Sequence, residues 1–278
     1  LLCPITPPAS LQIDRQQLTR LVAEQPDFLT FSVPTTTGGV ELELVQVNLF
    51  SEGSKLLLGT ASGTIDTPMN RGVFYQGVIK GKEKSLVAIS ITDGELSGLI
   101  ADETGSRVRT TPSSYLFYRD NTLATPRQFT CDTRDADNVP KRSGSPVELL
   151  SINCKVVNIY FEADFSLFTS NGSSVAQTSN YIANLFNQVA VLYNQENIAI
   201  RIAGLKIWTV ADPYANLTST SAMLDAFLAN QNSSPPPGIN SQLSHLFSGR
   251  SLNGGIAYLD VLCTPSFKYG VSTSVLTI

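Results

Sequence analysis

Lys155-Val-Val-Asn-Ile-Tyr-Phe161 is a run rich in β-branched residues and reads as a strand. Downstream, Val175, Ile182, Leu185, Phe186, Val189, Leu192 and Tyr193 recur mostly at steps of three and four. That spacing gathers them into one apolar stripe on a helix of about five turns. Ile198 to Val210 contains a second strand, Ser221 to Asn230 a second helix and Gly255 to Leu262 a third strand. Strand, helix, strand, helix, strand predicts an α/β layer built on a largely parallel sheet.

Upstream the pattern differs. Glu41–Phe50, Lys55–Thr60, Gly72–Lys80, Ser85–Thr92 and Leu96–Ala101 are short alternating runs broken by Gly, Asp and Asn. Period-two alternation predicts antiparallel strands with one wet face, folded into a sandwich or open barrel. Asp93-Gly94 reads as a hairpin turn, because glycine tolerates the positive φ of a type I′ turn. Arg15 to Glu24 shows a short amphipathic helical pattern ahead of the strands. Between Asn121 and Pro146 periodicity vanishes, and the segment from Cys131 is charged, polar and punctuated by Pro and Gly. Such a segment buries too little apolar surface to offset the entropy of ordering it. The expected organisation is therefore an α+β chain of two domains: a β module over 1–130, a linker over 131–146 and a mixed, largely parallel α/β domain over 147–278. Lys141-Arg142 in the linker is a dibasic pair open to a processing protease, although Val139 stands where many convertases want a further Arg. No internal repeat is evident. Asn232-Ser-Ser-Pro-Pro-Pro-Gly238 reads as a stiff surface loop.

Composition excludes several functions. A net charge of −4 and a pI near 5.1 supply no field for a phosphate backbone, and no basic stripe interleaves with aromatics, so nucleic acid is not an expected partner. No run approaches the roughly 20 apolar residues of a membrane-spanning helix. Low charged content (15%), only two Met and sequons at Asn171, Asn216 and Asn232 point to a secreted or extracellular protein. The cysteines Cys3, Cys131, Cys154 and Cys263 are too scattered for a zinc knuckle. They are compatible with three disulfide pairings, or with free thiols.

Several local patterns together resemble the amino-terminal half of a reprolysin (adamalysin-like) metallopeptidase domain of the metzincin group, preceded by its propeptide. Tyr75-Gln-Gly77, Ser85-Leu-Val-Ala-Ile-Ser90 and Gly94-Glu-Leu-Ser-Gly98 are similar to the propeptide's strands and hairpin. Val157-Asn-Ile-Tyr-Phe-Glu162-Ala-Asp164 resembles the opening strand of the peptidase domain, and Tyr181 to Tyr193 its first long helix. The stretch from His245 through Arg250 and Gly255 to Cys263 resembles the segment leading into the strand that borders the active-site cleft.

The resemblance implies a zinc metalloendopeptidase precursor acting on peptide or protein substrates, with its own propeptide as intramolecular inhibitor. Zinc would come with an H-E-x-x-H helix, whose two imidazoles grip the metal while the glutamate activates water. That motif does not occur before Ile278, and the only histidine is His245, expected as a helix-end residue beside Leu246 and Phe247 rather than a ligand. The zinc ligands are expected in a continuation, and this chain alone is expected to be inactive. The resemblance implies a substrate-binding edge strand over Gly255, Ile256, Ala257, Tyr258 and Leu259, with Gly254 and Gly255 allowing close backbone approach. Cys131 is a candidate latency switch, a thiolate on the open zinc position, although Asp132 stands where the switch pattern has Gly. The resemblance also implies a disulfide from Cys263 to a later part of the peptidase domain, and Cys154 is expected as either a small buried hydrophobe or a partner of Cys3. Glu162 and Asp164 are candidates for a structural calcium site, or are solvated strand-end carboxylates. Two alternatives accompany this reading: a non-catalytic short form that binds peptides through the edge strand, and a β-sandwich adhesion or carbohydrate-binding module.

Overall fold

The computed structural model describes residues 9–11, 13–35, 38–102, 115–117, 130–134, 155–252, 254–262, 264 and 266–274. In chain order the first elements are β1 (Ala9–Leu11), α1 (Arg15–Glu24), β2 (Phe28–Thr35), β3 (Gly38–Val47), β4 (Phe50–Thr60) and β5 (Gly63–Thr67). Then come β6 (Val73–Ile79), β7 (Lys82–Thr92), β8 (Glu95–Ala101), β9 (Tyr115–Phe117) and β10 (Thr130–Arg134). The rest are β11 (Lys155–Ala163), α2 (Phe165–Ser170), α3 (Val175–Gln195), β12 (Ile198–Trp208), α4 (Thr220–Ser233), β13 (Leu243–Phe247), β14 (Gly254–Tyr258) and β15 (Tyr269–Ser272). Two compact units result, and each is assembled from separated stretches of sequence.

The first unit takes residues 1–49, 70–126 and 182–196. Its sheet is antiparallel throughout, in the order β2-β3-β6-β7-β8. Alternation decides which face each residue takes. Leu42, Leu44, Val73, Tyr75, Val87, Ile89 and Ile91 are buried in one cluster with Leu18 of α1. The carboxylate of Asp14 starts α1 by accepting from the backbone N–H of Gln16 and Gln17 at 2.9 and 3.1 Å. The other side of β6 and β7 meets the end of α3. Here the Asn187 amide donates to Ile89 O (3.0 Å) and Ser90 Oγ (3.1 Å), and Gln76 Nε2 donates to Asn187 Oδ1 (2.9 Å). The expected sandwich or open barrel is not formed by these five strands: they make one open antiparallel sheet whose apolar cluster takes in α1, while β1 and β9 pair separately as a two-stranded antiparallel sheet. The hairpin at Asp93-Gly94 is as read, with φ of 50° and 72°, both positive as a type I′ turn requires.

The second unit takes residues 50–69, 127–181 and 197–278. Its eight-stranded sheet runs β10-β14-β15-β13-β11-β12-β4-β5 and is mixed but largely parallel. Only β14 against β15 and β4 against β5 are antiparallel. The chain passes through α3 between β11 and β12, and through α4 between β12 and β13. Parallel neighbours need such crossovers. The core under α4 gathers Tyr214, Met223, Leu224, Phe227, Leu246, Ile256, Tyr269 and Val271. Each such side chain contributes about 1.5–3 kcal/mol by leaving water. Phe227 meets Tyr214 and Tyr269 edge-on at 6.0 and 5.5 Å between centroids.

Two strand groups from outside the expected α/β domain of 147–278 lie in this second sheet, one from the β module and one largely from the expected linker. The β4–β5 hairpin extends it by parallel pairing of Lys55–Gly59 with Gly204–Trp208. The other is β10, so that Thr130–Arg134, expected at the junction of β module and linker, form strand. Lys141 and Arg142 lie outside the described residues. Since each unit draws on residues from both sides of Arg142, a chain cut after Arg142 is expected to keep its two fragments together. They should co-elute in size-exclusion chromatography and separate only in denaturant, whereas an N-terminal fragment eluting alone would contradict this assembly.

Candidate functional site

β14 holds the glycines singled out from the sequence, and its geometry shows what approaches them. A Cβ on Gly254 would stand 2.1 Å from Thr130 O, and one on Gly255 2.9 Å from Val271 O. Side chains at these two positions would push the flanking strands away. Gly255, Ile256, Ala257 and Tyr258 lie in β14, and Leu259 follows it. The strand is not an open edge here. β15 pairs along one side, and β10 runs parallel along the other, Thr130 opposite Gly254 through Arg134 opposite Tyr258. Leu259 N–H continues the ladder by donating to Arg134 O at 3.0 Å. Cys131 sits opposite Gly255 as an exposed free thiol. Cys3, Cys154 and Cys263 lie outside the described residues.

Arg134 anchors the end of β10. Ser219 caps α4 by accepting from Ala222 N–H at 3.1 Å. This sets Ser221 and Asp225, four residues apart, on one face of the helix. The Arg134 guanidinium donates through Nη1 to Asp225 Oδ1 and through Nη2 to Ser221 Oγ. Nη1 also reaches Tyr258 Oη at 3.4 Å, and Cζ lies 5.7 Å from the centre of that ring.

Glu162 and Asp164 are fully buried, contrary to the solvated alternative. Oε1 of Glu162 accepts from Trp208 Nε1–H and from Tyr214 O–H (2.8 Å). Oε2 accepts from Tyr160 O–H (3.0 Å) and Gln231 Nε2–H (2.6 Å). Burial raises this carboxyl above its ordinary range, while Lys206 and the donated hydrogen bonds pull it back. Asp164 is equally engaged. Oδ1 accepts from the N–H of Leu167 (2.7 Å) and Gly249 (3.1 Å), and Oδ2 from Ser248 O–H and Arg250 Nε–H (3.3 Å). Burial raises its pKa as well, against the Ser248 and backbone hydrogen bonds. With four donors on each, neither carboxylate has a lone pair to offer a calcium ion that wants six to eight oxygens. The calcium expectation is unsupported for this physical reason.

His245 is in β13, not at a helix end. Its ring lies 4.9 Å from that of Phe247 and edge-on to Phe161 at 6.4 Å, and Nε2 is 2.9 Å from Ser272 Oγ. Among the described residues no group of three or more His, Cys, Asp or Glu could hold a metal ion. Burial lowers the imidazole from 6.5 to about 4. The folded ring stays neutral where the unfolded one protonates, so its contribution to stability is full above about pH 6.5 and lost as pH falls toward about 4. With the ring half-buried, the effect is of the order of 2 kcal/mol. His245→Gln should therefore flatten the acid limb of the urea midpoint measured against pH. Parallel curves for parent and variant would contradict it.

Sequence reading missed Arg134, Ser221 and Asp225, which come together from distant positions. The only local signal was the i, i+4 spacing of the last two. Residues 155–276 match the family described as "Reprolysin (M12B) family zinc metalloprotease". Disintegrin and metalloproteinase domain-containing protein 1 of Rattus norvegicus is 25% identical over 219 residues, 73% of this chain and 27% of that protein. Disintegrin and metalloproteinase domain-containing protein 19 of Mus musculus is 27% identical over 248 residues, 77% of this chain and 25% of that protein. Both stretches are longer than the family match and extend into residues before 155. The chain spans about a quarter of the length of these relatives. A crystal structure of metalloproteinase-II from Bacteroides fragilis covers 95% of this chain and 80% of that one, at 10% identity and a TM-score of 0.49, a likeness too slight to carry an argument.

Proposed function

We propose that the chain, matched over residues 155–276 by the reprolysin family of zinc metalloproteases, is a member of that family and part of a secreted metalloendopeptidase precursor. In this reading the residues before the linker act as propeptide, and β14 is the wall along which an extended peptide or protein substrate pairs. The carrying observation is the parallel pairing of Thr130–Arg134 with Gly254–Tyr258. An extended segment added to a sheet edge completes that edge's unpaired N–H and C=O groups, which is how a peptide substrate would be held. Here the chain's own segment takes that place, as an intramolecular inhibitor would.

The residues described do not fit a catalytic zinc. His245 is packed between aromatic rings and held to Ser272, and the oxygens of Glu162 and Asp164 are filled by donors. The reading gives these residues the cleft wall and its occupant, and no step through the metal is assigned to them. Cys131, opposite Gly255 in the strand that fills the edge, keeps its proposed role as latency thiolate. Processing at Lys141-Arg142 also remains part of the proposal, as does extracellular location. Among the described residues no helix is long and apolar enough to cross a membrane.

The chain alone is expected to cleave no peptide with added zinc, and hydrolysis abolished by a chelator would contradict this. Edge occupancy is tested separately by Gly254→Ala, whose Cβ would displace Thr130. The Leu259 amide should then exchange with solvent roughly tenfold faster or more, the equivalent of losing one or two hydrogen bonds, while the Ser244 amide, held by Lys268 O, is unchanged. An unchanged Leu259 amide would refute the occupancy.

A further inference from the structure

We infer that Ser221, Asp225 and Tyr258 form a subsite for an arginine side chain of an extended peptide paired along β14, and that Arg134 fills it in this chain. This rests on the reading of β14 as a peptide-binding wall and adds a side-chain preference to it.

The subsite is defined by where its groups point. Asp225 and Ser221 project from one face of α4 toward the end of β10, and each receives a different terminal nitrogen of the same guanidinium. Tyr258 supplies the third side, its ring 5.7 Å from the guanidinium carbon. That ring is held by Phe267, edge-on at 5.3 Å. A carboxylate, a hydroxyl and an aromatic face suit a planar fork with several N–H donors. Lysine, with one compact ammonium, satisfies Asp225 or Ser221 less fully than arginine satisfies both. A neutral side chain leaves Asp225 without its cation, and an acidic one faces a like charge. Backbone pairing along β14 is indifferent to sequence, so discrimination among ligands falls to such side-chain contacts. The register sets the position: the residue read by the subsite is the one opposite Tyr258.

The test uses the full chain carrying Arg134→Ala, whose own strand cannot fill the subsite, and fluorescein-labelled peptides copying residues 128–135. Each peptide carries Cys131→Ser, with Arg, Lys, Ala or Glu at position 134, and binding is read by fluorescence polarisation. The arginine peptide should bind roughly tenfold more tightly than the alanine peptide, as expected for hydrogen bonds to a charged group. Lysine should fall between them and glutamate last. Adding Asp225→Lys should reverse the order of arginine and glutamate. Equal affinity for the arginine and alanine peptides, or an arginine preference that survives Asp225→Lys, overturns the subsite while leaving strand addition intact. Binding of no peptide, with the Leu259 amide as protected in Arg134→Ala as in the parent, shows that β10 holds without its arginine and also overturns it. Binding of no peptide together with rapid exchange across 130–134 overturns the peptide-wall reading itself.

Discussion

A β-strand has two rows of backbone hydrogen-bonding groups, and the account of this protein turns on the outer row of β14. β15 satisfies one side of the strand, and Gly254 keeps the other open to close approach. A sheet edge with its N–H and C=O groups unpaired invites another strand, from a substrate, a second chain or the same chain. Here Thr130–Arg134 answer it in parallel register, and Arg134 fastens the segment to α4 and Tyr258. Each ladder hydrogen bond contributes only about 0.5–1.5 kcal/mol net. A segment held by several of these and one exposed ion pair is secured, yet replaceable. That balance is what the proposed inhibitor role asks of a segment that must later give way.

Behind that wall the second unit is stiffened by two buried carboxylates. Glu162 joins β11, β12, the turn at Tyr214 and helix α4 through its four donors. Asp164 ties the start of α2 to the Ser248–Arg250 loop that leads into β14. Removing one partner from a buried pair such as Asp164 and Arg250 costs about 3–5 kcal/mol, because the remaining charge is stranded. Carboxylates engaged in this way serve as architectural joints and hold the loop from which β14 departs.

Much of this was legible in the chain. The β-branched run at Lys155–Phe161, the apolar stripe of α3 and the strand over Ile198–Trp208 announced the α/β layer. Asp93-Gly94 announced its hairpin. What escaped reading depended on pairing between distant segments. β10 is short and polar, with four of its five residues exposed. Its strand conformation comes from β14, not from a periodicity of its own. Lys55–Gly59 alternates like its neighbours, and nothing local separates a strand joining the antiparallel sheet from one joining β12. His245-Leu-Phe is a strand only because β11 and β15 flank it. The burial of Glu162 was hidden for the same reason: its donors lie 2, 46, 52 and 69 residues away.

The central claim, that the chain's own segment lines the outer side of β14, is tested most directly by cross-strand nuclear Overhauser effects in isotope-labelled protein. The account predicts backbone contacts from Thr130–Arg134 to Gly254–Leu259 in the parallel register that sets Asp132 opposite Ile256. Their absence, with the β14–β15 contacts still present, would contradict it.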